Sequence, residues 1–448
     1  MLGPRLVVAG TSSGSGKTSL ATGVMAALRA RGLDVAPAKV GPDFIDPGYH
    51  EVATGRPGRN LDAWMCGPDL IAPLAGRAAV GADVLVVEGV MGLFDGAADG
   101  TPSSTADVAR LLRAPIVLVV DCSSQAASVA ALVHGFATFD PRTPVAGVIL
   151  NKLASASHEA MVRRALADAP VPVPVLGALR RDPRLGWRDR HLGLIPVAER
   201  PDEVAESLAA LAALVAERCD LDALLHIARS AEPLAVEPVP VPARVGAARV
   251  AVAGGRAFTF SYPDNVEALE AAGAEIVPFD PLVDDALPPA IDALVIGGGF
   301  PEVMVEQLAA NEPLRRDVRE RIERGLVVWA ECGGLLWLAE ALDGHPMVGA
   351  VAASARMTDR LALGYRTAVQ QVATPLGPAG TELRGHEFHY TALDPPGGAL
   401  ELTGRTGTAP GGWASPRLLA SYLHVHLGAR PDLAEAFVRT AIEGRRRT

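Results

Sequence analysis

One segment constrains this chain more than any other: Leu6-Val-Val-Ala9, then Gly10-Thr-Ser-Ser-Gly14-Ser-Gly16-Lys17-Thr18-Ser19, then the helical stretch Leu20–Arg31. A short apolar run, a glycine-rich loop and a helix follow without a break. Such a loop aims backbone N–H groups at phosphate oxygens at the N-terminus of the helix. In that arrangement Lys17 reaches the β- and γ-phosphates, Gly14 and Gly16 belong to the cradle, and the Thr18 hydroxyl takes Mg²⁺. Thr11 stands where the strict pattern has its first glycine, with Gly10 one residue earlier. A buried strand that feeds a crossover helix implies an α/β fold with a doubly wound parallel sheet. Further strands are expected at Val35–Val40, Val84–Val87, Ile116–Val120 and Val145–Leu150, each rich in valine or isoleucine and bounded by Gly, Pro or Asp.

At 448 residues the chain is too long for one ordinary core. Pro201–Ser230 carries leucine and alanine at helical spacing. Glu232–Pro242 is too proline-dense for a helix or central strand and reads as an extended linker. Strands resume at Val250–Ala253, Glu275–Phe279, Ala293–Ile296 and Val327–Ala330. The expected division is 1–195 for an ATP-binding domain, 196–247 for helix and linker, 248–440 for a second α/β domain and 441–448 for a tail. A net charge of -10 argues against a nucleic-acid partner, which needs a basic face. The arginine tail Arg445–Arg447 reads as a solvated end. No apolar run reaches the length of a membrane helix, and the N-terminus lacks secretory features, so no membrane partner and a cytoplasmic location are expected. The 4 cysteines are scattered without metal-ligand spacing, which fits a reducing compartment. A homodimer is the oligomeric alternative to a monomer.

Lysine use is informative. Of 41 basic residues only Lys17, Lys39 and Lys152 are lysine, and all lie near strand ends in the first third. A chain that otherwise writes positive charge as arginine keeps lysine where a compact ammonium is required. Lys39 precedes Val40-Gly-Pro-Asp43-Phe-Ile-Asp46-Pro-Gly-Tyr-His50. A second ammonium near the γ-phosphate stabilises charge in phosphoryl transfer. Asp43 and Asp46 are candidates to bind Mg²⁺ or orient the acceptor, with a solvated loop as the alternative. Glu88 closes a buried strand at the mouth of the sheet and is the preferred Mg²⁺ ligand together with Thr18. Asp95, on the loop Gly92-Leu-Phe-Asp95-Gly96, either faces the acceptor or closes a turn.

The second half carries a nucleophile. Leu326-Val-Val-Trp-Ala-Glu331-Cys332-Gly333-Gly334 has the outline of a strand-to-helix elbow that exposes Cys332, and the helix N-terminus is expected to favour thiolate. Ile296-Gly-Gly-Gly299-Phe-Pro-Glu302 offers backbone N–H groups which, with that of Gly333, suit an oxyanion hole. The base a thiol needs is sought in Ser421-Tyr-Leu-His424-Val-His426. Gly385-His-Glu-Phe-His-Tyr390 alternates as a strand, with packing and function equally open.

These motifs resemble known families. The phosphate loop is similar to that of dethiobiotin synthetase and the ParA/MinD ATPases, and the resemblance implies that Asn151, at a strand end, reads adenine. The elbow resembles class I glutamine amidotransferases and implies His424 as base to Cys332, with His426 as second choice. Many members carry glutamate two residues after that histidine. Here His426 stands there, so the orienting acid is missing. The whole chain resembles the cobyrinic or hydrogenobyrinic acid a,c-diamide synthase family through Lys39–His50, Glu88–Gly96, Glu331–Gly334 and Gly385–Tyr390. That resemblance implies an ATP- and glutamine-dependent amidoligase with Mg²⁺, acting on the a and c acetates of a corrinoid polycarboxylate. Arg180–Arg184 and Arg188–Arg190 would suit such a substrate, or form a solvated loop. The alternatives are a sibling amidoligase, such as cobyric acid synthase, and a ParA/MinD-like ATPase with an inert second domain.

Overall fold

The computed structural model describes residues 1–97, 99–182 and 195–445, with 189–190 and 193–194 as paired backbone only. Arg184, Arg188, Arg446 and Arg447 lie outside the residues whose side chains are described. Two compact units meet in the sequence at Val239 and Pro240. The helices of 201–230 belong to the first unit, and the last helix, Pro431–Arg445, runs into the stretch read as a tail.

The first unit is built on seven strands: β1 (Arg5–Gly10), β2 (Val35–Val40), β3 (Arg59–Leu61), β4 (Val84–Glu88), β5 (Ile116–Asp121), β6 (Val145–Leu153) and β7 (Val175–Arg180). Their order is β3-β2-β4-β1-β5-β6-β7, and every pairing is parallel. The five expected strands are all present. β3 lacks an apolar run, and only its pairing to β2 makes it a strand. The helix after β1, α1 (Lys17–Ala30), begins at Lys17, three residues before the expected start. Because β1 lies between β4 and β5, crossovers leave the sheet in both directions beside it, which is where ligands bind in such folds. Register does the rest. Glu88 pairs with Val8 on one side and Lys39 on the other, so an acid and a lysine stand at one level above the C-terminal edge.

Residues 201–230 are two helices, Pro201–Arg218 and Leu221–Ser230, rather than one. Asp220 caps the second by accepting from Ala223 N–H, and Cys219 is extended against Gly177 of β7. The apolar spacing runs through this break, so periodicity alone does not reveal it. The first residues of the expected linker are also tied down. Leu234 exchanges two backbone hydrogen bonds with Leu2, and the Glu232 carbonyl accepts from the fully buried Arg5 guanidinium.

The second unit has a six-stranded sheet in the order 274–279, 248–253, 293–296, 327–331, 418–421, 413–415, parallel except at its last pair. A long antiparallel ribbon, Val351–Gln370 with Glu382–Asp394, forms a second sheet, whose edge takes His424–Val425. Two apolar clusters fill this unit around Trp337 and Phe437. Among the described residues, no helix is long and apolar enough to cross a membrane.

Candidate active sites

The phosphate loop is held in shape by the only dipeptide that pairs asparagine with lysine at a strand end. Gly14 and Gly16 adopt φ of 74° and 95°, the left-handed region that favours glycine. A Cβ on Gly16 would lie 2.2 Å from Asn151 Nδ2. Asn151 Nδ2 donates to the Ser15 carbonyl at 2.9 Å, and its Oδ1 accepts from Lys152 N–H. Lys152, itself at φ 56°, donates through Nζ to the Gly14 carbonyl and to Asp121. The two side chains therefore clamp consecutive carbonyls of the loop. Lys17 Nζ donates to the Ser12 carbonyl at 3.1 Å. Burial and the neighbouring Lys39 charge lower its pKa to about 8.

Above β2 and β4 sits a dense polar cluster. Lys39 Nζ lies 2.7 Å from Glu88 Oε1 and 2.7 Å from Asp46 Oδ2, and also donates to the Gly89 carbonyl. Thr18 Oγ1 donates to Glu88 Oε1 at 2.7 Å and lies 3.3 Å from Asp46 Oδ2. His50 Nε2 meets the other Glu88 oxygen at 2.7 Å. Burial opposes the charges of Lys39 and Glu88. For Lys39 the carboxylates of Asp46, Glu88 and Asp43 outweigh it and hold the ammonium well above its ordinary range. For Glu88 the Lys39 and His50 contacts outweigh it and hold the acid well below its own. Asp46 is pushed up by burial and by Asp43 and Glu88. Thr18, Asp46 and Glu88 thus converge, as hard oxygen donors do around Mg²⁺. Asp43 differs: its Oδ1 accepts from Ile45 and Asp46 N–H and starts the helix α2 (Ile45–Thr54). Asp95 Oδ2 accepts from Gly92 N–H, the turn role. Among the described residues, no group of three His, Cys, Asp or Glu side chains stands ready to hold a metal by itself.

The sequence reading gave His50 no role. The signal was present, since Asp46 and His50 are four residues apart and so share a face of α2. The same helix presents both to Glu88.

In the second unit Cys332 occupies a strained turn, φ 47° and ψ -100°, between the strand Val327–Glu331 and the helix Gly333–Leu338. Its thiol is not acidified as the helix N-terminus suggests. Burial, then the carboxylates of Glu302, Glu387 and Glu331, push the pKa far above that of a free thiol against one lowering contact from Gly333 N–H. The helix that follows is only six residues long, and burial is the largest influence on the thiol. His424 is 1% exposed, and its ring packs on His386 at 5.0 Å between centroids. A Cβ on Gly298 would come within 2.5 Å of His424 Cε1, and one on Gly333 within 3.3 Å of the Gly298 carbonyl carbon. The imidazole edge and the residue after the thiol therefore border the same glycine. Gly298 N–H donates to Phe260 O and Gly334 N–H to Gly297 O, so those amides are engaged. Gly299 N lies 3.0 Å from the place a Cβ on Gly333 would take, so these two residues stand side by side at the thiol. Gly298→Ala should therefore displace His424 and lower glutamine turnover by about 100-fold, measured as glutamate release, since misplacing a catalytic group by about 1 Å costs that much.

His426, the second choice for the base, faces elsewhere. Its Nδ1 accepts from Gly428 N–H, and its Nε2 lies 3.8 Å from Asp264. Of the third histidine cluster, His386 packs on His424 and Glu387 pairs with Arg366 at 2.9 Å. Glu331 was quoted in the sequence only as a neighbour of the thiol. It lies 3.5 Å from His424.

Known proteins match both halves. Residues 6–194 match the model of the CobQ/CobB/MinD/ParA nucleotide binding domain, and 249–432 that of the CobB/CobQ-like glutamine amidotransferase domain. The hydrogenobyrinate a,c-diamide synthase of Streptomyces coelicolor is 52% identical, with 97% of each chain covered. That of Mycobacterium bovis is 48% identical, also with 97% of each covered. The cobyrinate a,c-diamide synthase of Syntrophotalea carbinolica is 44% identical over 97% of this chain and 98% of its own. With both sites built from the motifs described and near-complete coverage by these relatives, this chain belongs to the hydrogenobyrinate and cobyrinate a,c-diamide synthase family.

Proposed function

We propose that this chain uses ATP and glutamine to amidate the a and c acetate carboxylates of a corrinoid acid in cobalamin biosynthesis, in the cytoplasm. The observation that carries the reading is the identity of 52% across 97% of the chain to a hydrogenobyrinate a,c-diamide synthase. Five relatives at 48–52% identity bear that name, and three at 41–44% are named cobyrinate a,c-diamide synthase. This supports cobalt-free hydrogenobyrinic acid as the first substrate to test.

In the first unit a substrate carboxylate takes the γ-phosphoryl of ATP, giving an acyl phosphate and ADP. Lys17 and Lys39 supply positive charge where the transferring group spreads negative charge. Thr18, Asp46 and Glu88 would hold Mg²⁺, which when bound supplies charge neutralisation at the phosphate oxygens. Asp43 serves that set through α2, whose start it fixes. Asn151 has one amide proton and one carbonyl lone pair beyond its loop contacts, and these suit adenine. In the second unit the Cys332 sulfur attacks the glutamine carboxamide while His424 takes the thiol proton. His424 returns that proton to the departing nitrogen, which leaves as ammonia, and water hydrolyses the glutamyl thioester. Ammonia then displaces phosphate from the acyl phosphate and forms the amide.

Mass spectrometry of products from ATP, glutamine and each corrinoid acid tests this. Two carboxylates converted to amides on one corrinoid are expected. ATP and glutamine consumption with no amidated corrinoid would refute the substrate class.

A further inference from the structure

The geometry points to Glu331 as the positioning residue for His424, and so as the missing third member of the thiol site. This rests on the reading of Cys332 as the glutaminase nucleophile. The usual place for such an acid is filled here by His426, which is committed to Gly428 N–H and faces Asp264. Glu331 reaches the same imidazole from the opposite direction in the chain, from the residue before the nucleophile. Its Oε2 lies 3.5 Å from His424 Nδ1. Its Oε1 accepts from Val425 N–H at 2.9 Å, which ties the carboxylate to the strand that carries His424. Glu331 is 5% exposed, so the pair works away from bulk water. With Glu331 on the Nδ1 side of the ring, the Cε1–Nε2 edge borders Gly298.

The chemistry requires such a group. The Cys332 thiol is held protonated by burial and by acidic neighbours. Attack on the carboxamide carbon must therefore form the S–C bond as the thiol proton moves to His424 Nε2. Imidazolium then stands in a buried pocket, where a carboxylate at Nδ1 offsets its desolvation and fixes its tautomer. Collapse breaks the C–N bond and passes the proton from Nε2 to the leaving nitrogen. Hydrolysis of the thioester repeats the cycle with water as the proton source, and the thiol is regenerated. Other titratable groups border His424: His386 stacks on it, and Glu387, paired with Arg366, and His389 lie within its electrostatic reach, with burial keeping both histidines neutral. Glu387 is committed to a guanidinium. Glu331 is held by a neutral backbone amide and has no guanidinium partner among the described residues.

Glu331→Gln separates this role from simple backbone pinning. Glutamine still offers an oxygen to Val425 N–H but has no charge for Nδ1. In the full chain, kcat for glutamine should fall about 1,000-fold with KM within about threefold, while ammonia-dependent amidation is retained. Glu331→Gln combined with His424→Ala should be no slower than His424→Ala alone, because both act through one imidazole. Wild-type kcat in Glu331→Gln would overturn the inference and leave the nucleophile reading intact if Cys332→Ala is inactive with glutamine. Losses that multiply in the double variant would overturn it too. Glutamine use surviving in Cys332→Ala would remove both.

Discussion

Cys332→Ala is expected to lose glutamine-dependent amidation by roughly 10⁴- to 10⁶-fold and to retain amidation driven by free ammonia. The physical reason is a separation of duties. On the proposed reading the thiol has a single task, which is to free nitrogen from a carboxamide. The polar cluster proposed to serve the acceptor carboxylate is built from α1, β2, α2 and β4 of the first unit. Removing one sulfur touches none of those elements. Two assays of corrinoid amide formation, one with glutamine and one with an ammonium salt near neutral pH, read the two duties separately. Loss of both in a variant with an unchanged melting profile would contradict the division.

Lys39→Met is expected to give the opposite pattern, with both nitrogen donors failing and the first unit losing stability. The Lys39 ammonium is 3% exposed and lies between two buried carboxylates at 2.7 Å each. Breaking a buried ion pair by deleting one partner costs about 3–5 kcal/mol, because the remaining charge has lost its counter-ion. For a unit of this size that lowers the melting temperature by roughly 6–20 °C in calorimetry. Loss of one charge-stabilising group should also lower ATP-dependent turnover by about 100- to 1,000-fold. An unchanged melting temperature would mean that the ammonium is not what balances Asp46 and Glu88.

The sequence made much of this site legible, and the reason is chemical. The three lysines end on three tasks in the same unit: Lys17 at the loop, Lys39 between the acids and Lys152 on the Gly14 carbonyl. Thr18, Asp46 and Glu88 meet because strand ends and helix starts have fixed positions in a parallel sheet. Pairings that depend on register were not legible. His50 reaches Glu88 only because α2 packs on β2, the neighbour of β4, and Glu331 lies near His424 only because the strand of 418–421 lies beside that of 327–331. Asp43 resembled a ligand by type and Asp95 an acceptor contact, but Asp43 accepts from Ile45 and Asp46 N–H and Asp95 from Gly92 N–H. Local hydrogen bonding of that kind leaves no periodic trace. The break at Cys219 was hidden for a similar reason, since a capping aspartate interrupts a helix without disturbing its apolar rhythm.

The suppressed acidity of Cys332 has a consequence outside catalysis. Oxidants and electrophiles in a cell react with sulfur anions far faster than with neutral sulfhydryls. A buried sulfur that keeps its hydrogen is nearly inert. Peroxide and alkylating agents should therefore spare this nucleophile at rest, whereas an electrophilic glutamine mimic that fits the pocket should capture it quickly.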